Sequence, residues 1–161
     1  MIRRAQLKDL PEVVTLSHLF FDEMKFSERG GKLDDDVIIE GYVEAIAEPR
    51  RLIFLVSEHN GRIDGTMYAA IINRSFFFKD FRQAYEVVWH SDPRLPMFRR
   101  SRIMIQLLLA LELQLARMGG MPFKLGSSAK PEYAAIGKHL VKMGYEKVEE
   151  WFFKEIPSWA K

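Results

Sequence analysis

The chain has 161 residues, and its 24 basic and 22 acidic side chains leave a formal net charge of only +2. With 48% apolar and 29% charged residues, the composition is typical of a globular protein and excludes disordered and collagen-like chains. Because the chain contains no cysteine, disulfides, thiol nucleophiles and thiolate metal sites are also excluded. We expect one domain over residues 1–161, in a reducing compartment such as the cytoplasm.

The apolar segments are too short to cross a membrane. The longest run, Ile103 to Leu111, contains Gln106 and falls far short of the roughly 20 apolar residues that span a bilayer. The N-terminal segment becomes polar before an apolar stretch of signal-peptide length develops. The sequence therefore predicts neither a transmembrane helix nor a signal peptide.

Hydrophobic periodicity predicts ten elements in the order β-α-α-β-β-β-α-β-α-β. Apolar residues alternate in the strands and recur at helical spacing in the helices. The predicted elements are residues 2–6, 9–24, 34–48, 51–57, 63–73, 84–90, 101–118, 123–127, 131–143 and 145–156. This order predicts a mixed α/β fold in which a mostly antiparallel, twisted sheet has helices on both faces.

Short polar and glycine-containing motifs mark several element boundaries. Asp9 with Glu12 three positions later is typical of a capping box at the start of the first helix, and Asp34–Asp36 cap the second. Asn60-Gly61 favours the type I′ turn of a hairpin, and Gly119-Gly120 is typical of a helix C-terminus. Asp34–Asp36 have a second interpretation, as a surface that attracts a cationic amine.

Two segments in the second half of the chain match the motifs of a known family. Pro96–Met104 has the spacing of a loop that reads P-x-y-R-G-x-G-I-G, and it precedes a leucine-rich helix with Glu112 near its middle. Leu140–Tyr145 matches a closing Tyr-x-x-x-Gly-Phe signature. On these motifs the chain resembles the GNAT superfamily of acyl-CoA-dependent N-acyltransferases over essentially its whole length, which implies a GNAT-like fold. As a short chain with an altered loop, it is also similar to acyltransferase-like proteins encoded by bacteriophages.

The resemblance implies a binding site for acetyl-CoA or a related acyl-CoA. In the family, the coenzyme pyrophosphate lies at the N-terminus of the longest helix, where unpaired N–H groups and partial positive charge favour an anion. The preceding strand pairs with the pantetheine arm through its backbone. The positions implied to bind the cofactor are Val88, Trp89, His90, Arg99, Arg100, Ser101, Arg102, Ile103 and Met104.

Three positions depart from the family pattern. Arg102 and Met104 stand where the family has glycines, which let the backbone approach the pyrophosphate closely. Leu140 stands where the family commonly has a tyrosine that protonates the departing thiolate, so the usual acid is missing. The alternative to an active enzyme is therefore a GNAT-like scaffold that binds a partner without catalysis.

Glu86 and His90 are the candidate catalytic residues. They lie on the strand that borders the acyl site in the family, where an acidic residue often deprotonates the amine directly or through water. His90 is the second candidate because imidazole titrates near neutrality. The alternative interpretations are a glutamate that faces solvent or pairs with a lysine, and a histidine with a structural hydrogen bond. Without cysteine, transfer of the acyl group to the amine is expected to be direct.

The arginines at positions 94, 99, 100 and 102 have three interpretations. They bind the coenzyme pyrophosphate, contact a nucleic acid or another polyanion, or form a solvated charged loop. Only Phe98 lies among them, so there are too few stacking aromatics to favour nucleic acid. The arginines alone motivate a third functional hypothesis, the modification of a nucleic-acid base on this fold.

The expected partner is an amine acceptor, either a small molecule or a protein, rather than a nucleic acid or a membrane. A homodimer formed through the final strand is a further expectation, because that strand would lie at a sheet edge. No His-x-x-x-His, G-x-S-x-G, Walker or dinucleotide motif is present, so a metal site, a serine hydrolase and a nucleotide-dependent enzyme are not predicted.

Overall fold

The computed structural model describes residues 1–73, 82–126 and 134–147. Strands β1 to β5 are Ile2–Arg4, Leu52–His59, Arg62–Ile72, Gln83–Ser91 and Phe123–Lys124. Helices α1 to α4 are Leu10–Glu23, Asp35–Ala47, Met97–Arg117 and Ala134–Lys142. The chain divides into two compact units, Met1–Gly126 and Ser127–Lys161, and α4 belongs to the second. The expectation of one domain stays a prediction.

The first unit is built on a five-stranded sheet with the order β1-β2-β3-β4-β5. Each strand is antiparallel to the next except β4 and β5, which are parallel and are connected through α3. The predicted mixed α/β class with a mostly antiparallel sheet is therefore confirmed. A parallel pair needs a connection that returns to the opposite end of the sheet, and α3 provides it. Because α3 follows β4 in the chain, it begins just beyond the C-terminal end of β4.

Two local signals are also confirmed. Asn60 and Gly61 have φ angles of 51° and 73°, as a type I′ turn requires, and they join β2 to β3. Asp34 caps α2, because its Oδ1 accepts the backbone N–H groups of Asp36 at 3.0 Å and Val37 at 3.3 Å. Both signals act within a few residues, so the sequence alone determines them.

One face of the sheet packs against α1 and α2. Phe54 of β2 is buried together with Leu16 of α1 and Tyr42 of α2. The rings of Tyr42 and Phe54 are stacked, with centroids 4.5 Å apart, an arrangement that adds about 1 kcal/mol to the burial of the two rings. This core fixes α1 beside the C-terminal half of β4, where Phe20 stacks on His90.

The opposite face packs against α3 so closely that β3 needs a glycine there. A Cβ placed on Gly65 would lie 2.5 Å from Cγ2 of Ile103 and 3.3 Å from Cδ1 of Leu107. Both of these α3 side chains are buried. The absence of a side chain at Gly65 therefore sets the distance between α3 and the sheet.

The predicted capping box of α1 is wrong. The helix begins directly after Asp9, whose side chain accepts no hydrogen bond from it. Asp9 instead accepts two hydrogen bonds from the guanidinium of Arg3, at 2.7 and 2.8 Å, which hold the pKa of Asp9 below its usual range. Glu12 accepts the backbone N–H of Ile63 on β3 at 2.7 Å. Both carboxylates therefore attach the helix to distant parts of the chain.

The second unit is described through α4 and the residues that follow it. Gly144 has φ of 94° and ends the helix, as predicted. Leu140 is buried. Residues 145–147 are not a strand, and the rest of the strand predicted over 145–156 lies outside the described residues. Within the described ranges, no helix is long and apolar enough to cross a membrane.

Candidate active site

The two parallel strands β4 and β5 diverge after a short paired segment. They are paired only at Ala84 with Phe123 and at Tyr85 with Lys124. Beyond Tyr85, no other strand in the described part of the chain pairs with this side of β4. The C-terminal half of β4 therefore borders an opening in the sheet.

A bulge in β4 lies at the start of this opening. Tyr68 of β3 is opposite Val88, but the next residue, Ala69, is opposite Glu86, so Val87 is an extra residue in β4. A bulge bends its strand and redirects the neighbouring side chains and backbone groups. The bulge at Val87 therefore distorts the backbone of β4 directly beside Glu86.

The backbone of β4 beyond the bulge is available to an extended ligand. The N–H of Asp92 donates to the carbonyl of Asp64 on β3 at 2.9 Å. Because backbone groups alternate in direction along an antiparallel strand, the N–H and C=O groups of Trp89 and Ser91 point away from β3 and into the opening. Trp89 and Ser91 thus offer the edge that an added strand would use.

Glu86 lies where β4 and β5 begin to diverge. Its half-buried carboxylate crosses the opening, and Oε2 accepts the backbone N–H of Gly126 at 3.2 Å. Burial raises the pKa of Glu86 from 4.5 to about 7, and the hydrogen bond from Gly126 partly opposes that increase. A carboxyl with this pKa exchanges protons readily near neutral pH.

His90 lies in the core rather than at the opening. Its ring is 2% exposed and is stacked on Phe20 at a centroid distance of 4.7 Å. Nδ1 lies 3.3 Å from the hydroxyl of Thr66. Burial lowers the pKa of His90 to about 4, so the ring is neutral at physiological pH. The geometry assigns His90 a packing role, in contrast to the catalytic role that the sequence suggested.

Helix α3 begins at Met97, so its predicted start at Ser101 is wrong. The backbone N–H groups of Arg99 and Arg100 already donate to the carbonyl of Pro96, at 2.9 and 3.1 Å. In the part of the chain that the structure describes, no side chain caps this N-terminus, and the N–H groups of Met97 and the following residue have no acceptor in the preceding turn. The unpaired donors and the positive end of the helix dipole therefore lie at Met97, not at Ser101–Met104.

Two of the four arginines near this N-terminus are paired at the surface. Arg94 forms a bidentate pair with Asp92, with contacts of 2.9 and 2.7 Å, and Arg99 lies 3.2 Å from Asp64. Arg102 is exposed and makes no hydrogen bond or ion pair with the residues that the structure describes. The positive charge available to a ligand is therefore concentrated at Arg102.

Arg100 is buried and connects two helices. Its guanidinium donates to both carboxylate oxygens of Glu23, at 2.7 and 2.8 Å, and Nε lies 3.4 Å from the hydroxyl of Ser91. Arg100 is only 6% exposed. The sequence suggested that Arg100 binds a phosphate, but here it joins the end of α1 to the first turns of α3.

Ile103 and Met104 are also buried, which differs from a phosphate-binding role. Ile103 packs above Gly65, and the carbonyl of Met104 accepts the indole N–H of Trp89 at 3.0 Å. Because both lie within α3, their N–H groups belong to its internal hydrogen-bond ladder. Of the two family glycine positions, Met104 is thus accommodated in the core, whereas Arg102 is exposed.

Sequence reasoning missed three residues that shape this region. Gly126, Glu23 and Asp64 are the partners of Glu86, Arg100 and Arg99, at separations of 40, 77 and 35 residues. No local motif marks such pairs. The helix start at Met97 did have a signal, because proline is common at the first positions of helices.

Comparison with protein-family models and with curated proteins finds no match. Solved structures do match over nearly the whole chain. An aminoglycoside acetyltransferase from an uncultured soil metagenomic sample, in complex with sisomicin, has a TM-score of 0.68 and 16% identity, with 98% of this chain and 96% of that chain covered. A predicted acetyltransferase from Clostridium acetobutylicum, with acetyl-CoA, has a TM-score of 0.66 and 19% identity, with coverages of 96% and 95%. Glucosamine-6-phosphate N-acetyltransferase from Arabidopsis thaliana has a TM-score of 0.68, 16% identity and 98% of each chain covered.

The chain has the GNAT fold. The resemblance seen in the sequence is confirmed at the level of the fold. In the part of the chain that the structure describes, no group of His, Asp and Glu residues is arranged to hold a metal ion.

Proposed function

We propose that this protein is an acyl-CoA-dependent N-acyltransferase that transfers an acetyl or related acyl group directly to an amine. The observation that carries the proposal is Glu86, a carboxyl with a pKa of about 7 at the point where β4 and β5 diverge. The C. acetobutylicum structure with acetyl-CoA supports this choice of co-substrate. The absence of cysteine agrees with direct transfer and with a reducing compartment, for which we propose the cytoplasm.

The described residues fit an acyl-CoA in an extended conformation. The free backbone groups of Trp89 and Ser91 would bind the pantetheine amides, and the N–H groups at Met97 would bind the pyrophosphate. Arg102 would add a charge-assisted contact to a phosphate, since it is exposed and uncommitted among the described residues. The thioester that the co-substrate supplies is an activated acyl group.

Glu86 would act as the general base. An acceptor amine is protonated near neutral pH, and its nitrogen attacks a thioester only after losing a proton. Glu86 takes this first proton directly or through one water, the nitrogen bonds to the thioester carbon, and the C–S bond breaks. The nitrogen releases its second proton to solvent as the amide forms. The departing thiolate takes its proton from solvent, since Leu140 stands at the position of the family's tyrosine. The carboxyl of Glu86 then returns its proton to solvent.

The charge of α1, α2 and their connection favours a cationic acceptor. Residues 10–48 contain ten acidic and three basic side chains, whereas residues 94–102 contain four arginines and no acidic residue. An electronegative surface raises the local concentration of a cation, and this effect is weakened by salt. We therefore propose a small-molecule or protein amine as acceptor, with a KM that increases with ionic strength.

A titration of acetyl-CoA and of CoA by calorimetry tests the cofactor site. Arg102→Glu is expected to weaken binding about tenfold or more, because a charge-assisted contact becomes repulsive. Arg117→Glu is the matched control, since Arg117 is exposed on the same helix at its opposite end and its reversal changes the net charge equally. If the unmodified protein fails to bind either ligand at millimolar concentration, the proposal is wrong.

A second candidate function is a GNAT-like binding protein without catalysis. It is favoured by Leu140, which removes the family's thiolate acid, and by the burial of Arg100. Glu86→Gln separates the two candidates, because it removes the proton acceptor and leaves the cofactor surface unchanged. An enzyme is expected to lose at least about a hundredfold in kcat with an unchanged affinity for CoA. A protein that binds CoA but transfers no acyl group to any amine supports the second candidate.

A further inference from the structure

The two oxygens of the Glu86 carboxylate have different surroundings. Oε2 lies 3.2 Å from the backbone nitrogen of Gly126, which donates to it from the segment immediately after β5. Oε1 has no hydrogen-bond partner among the described residues. The side chain is thus held at one oxygen, across the opening between β4 and β5, while the other oxygen is available.

Gly126 also limits the space beside this carboxylate. A Cβ built on Gly126 would lie 3.2 Å from Oε2 of Glu86, a distance tighter than most real Cβ contacts. The backbone of Gly126 therefore lies directly against the carboxylate. A larger residue here would have to move either Glu86 or the chain after β5.

We propose that the backbone amide of Gly126 is a positioning group for the general base, which holds Oε2 of Glu86 so that Oε1 receives the proton of the acceptor amine. This inference rests on the proposed function. In the proton step, an N–H bond of the ammonium breaks, an O–H bond forms at Oε1, and the electron pair stays on the nitrogen. Oε2 keeps its hydrogen bond from Gly126 throughout.

The geometry gives the Gly126 amide two effects. It fixes the orientation of the carboxyl group, which in a half-buried glutamate would otherwise rotate. It also stabilises the anionic form, because a hydrogen bond to a carboxylate favours the charged state. Among the described residues of β3, β4, β5 and α3, no charged or titratable side chain contributes to the pKa of Glu86; burial and the Gly126 N–H are the two causes.

The test removes the N–H while keeping the shape of the backbone. Replacement of Gly126 by glycolic acid converts the amide into an ester without an N–H. Gly126→Pro is a second variant that also lacks the donor, and Gly126→Ala is its control, because alanine adds a Cβ against Glu86 as proline does but keeps the N–H. The same ester at Gly61, in the hairpin turn between β2 and β3, controls for general destabilisation by an ester. Thermal unfolding of each variant establishes that it is folded.

The primary measurement is a ¹³C NMR titration of the glutamate side-chain carboxyls, with the Glu86 signal assigned by its loss in Glu86→Gln. Loss of the Gly126 N–H is expected to raise the pKa of Glu86 by roughly half a unit to one unit. The ester at Gly61 is expected to leave it unchanged. In steady-state assays of the Gly126 ester, the acidic limb of the pH profile of kcat/KM is expected to move to higher pH by the same amount as the carboxyl pKa. Its kcat is expected to fall while the KM for acyl-CoA is unchanged.

The outcomes separate this inference from the proposed function. An unchanged carboxyl pKa in a folded Gly126 ester overturns the role of Gly126, whether or not the protein transfers acyl groups. A shifted pKa with unchanged kcat overturns the positioning role, since the hydrogen bond would then serve only the local structure. A shifted pKa in a protein that binds no acyl-CoA supports the hydrogen bond and removes the proposed function.

Discussion

Replacement of Glu86 by glutamine is expected to remove the contribution of this carboxyl to the pH dependence of the stability. Burial raises the pKa of Glu86 from 4.5 to about 7 in the folded protein, whereas the unfolded chain has the ordinary value. Between these two pH values the folded state binds more protons than the unfolded state. The contribution of Glu86 to the free energy of unfolding therefore decreases as the pH rises from 4.5 to 7, and it is fully present only below 4.5. Glutamine does not titrate.

The size of this effect follows from the difference between the two pKa values. A difference of about 2.5 units corresponds to an upper limit of about 3.4 kcal/mol, at 1.36 kcal/mol per unit. Glu86 is only half-buried, and solvent screening reduces this value. We compare the free energy of unfolding of Glu86→Gln with that of the unmodified protein at each pH. This difference is expected to be about 1.5 kcal/mol more favourable to the variant at pH 8 than at pH 5.

Urea unfolding measured at pH 5, 6, 7 and 8 by circular dichroism gives the two free energies directly. Glu40→Gln, at an exposed position of α2, controls for the loss of a negative charge without burial. If the difference between Glu86→Gln and the unmodified protein is the same at pH 5 and pH 8, the carboxyl is not desolvated. That result would refute both the raised pKa and the reasoning that makes Glu86 the base.

Three further predictions concern the framework of the site. Arg100→Met is expected to destabilise the protein by about 3 kcal/mol in urea unfolding, since it removes the buried guanidinium that donates to both oxygens of Glu23, whereas Arg102→Met changes the stability by less than about 0.5 kcal/mol; equal effects would contradict the buried pair. Gly65→Ala is expected to cost about 1–3 kcal/mol, because its Cβ would overlap Ile103, and an undiminished melting temperature would show that α3 yields. An NMR titration is expected to show His90 neutral from pH 5.5 to pH 8, and a transition in that range would return it to the list of proton carriers.

The features that sequence predicted correctly are those whose causes are local. The Asn60-Gly61 turn and the Asp34 cap each depend on conformational preferences within three residues. Periodicity placed the strand that carries Glu86, so the candidate base was found before its surroundings were known. The capping box at Asp9 failed because the guanidinium of Arg3 on β1 and the backbone N–H of Gln6 both donate to the same carboxylate. Local preference is a weak guide wherever tertiary contacts offer a side chain a stronger partner.

The chemical character of the site depended on information that the sequence does not carry. The pKa of Glu86 is set by its burial at the divergence of β4 and β5, and its hydrogen-bond donor lies 40 residues away in the chain. The role of Arg100 changed for a similar reason, because Glu23 is 77 residues away. A motif gives the residue types and their spacing, and the fold then decides which of them face a ligand.

The arginines at the start of α3 show how pairing changes the meaning of a charge cluster. Four arginines within nine residues suggest a strongly basic phosphate site. In the structure Arg94, Arg99 and Arg100 each contact a carboxylate, so most of this positive charge is compensated locally. Among the described residues at the start of α3, the groups that remain for an anion are Arg102 and the backbone N–H groups at Met97. Backbone donors are fixed by the helix and carry no counterion, so recognition of the coenzyme would depend on the position of α3 more than on net charge. The buried pair of Arg100, which joins α1 to α3, would then contribute to the proposed cofactor binding through the position of that helix.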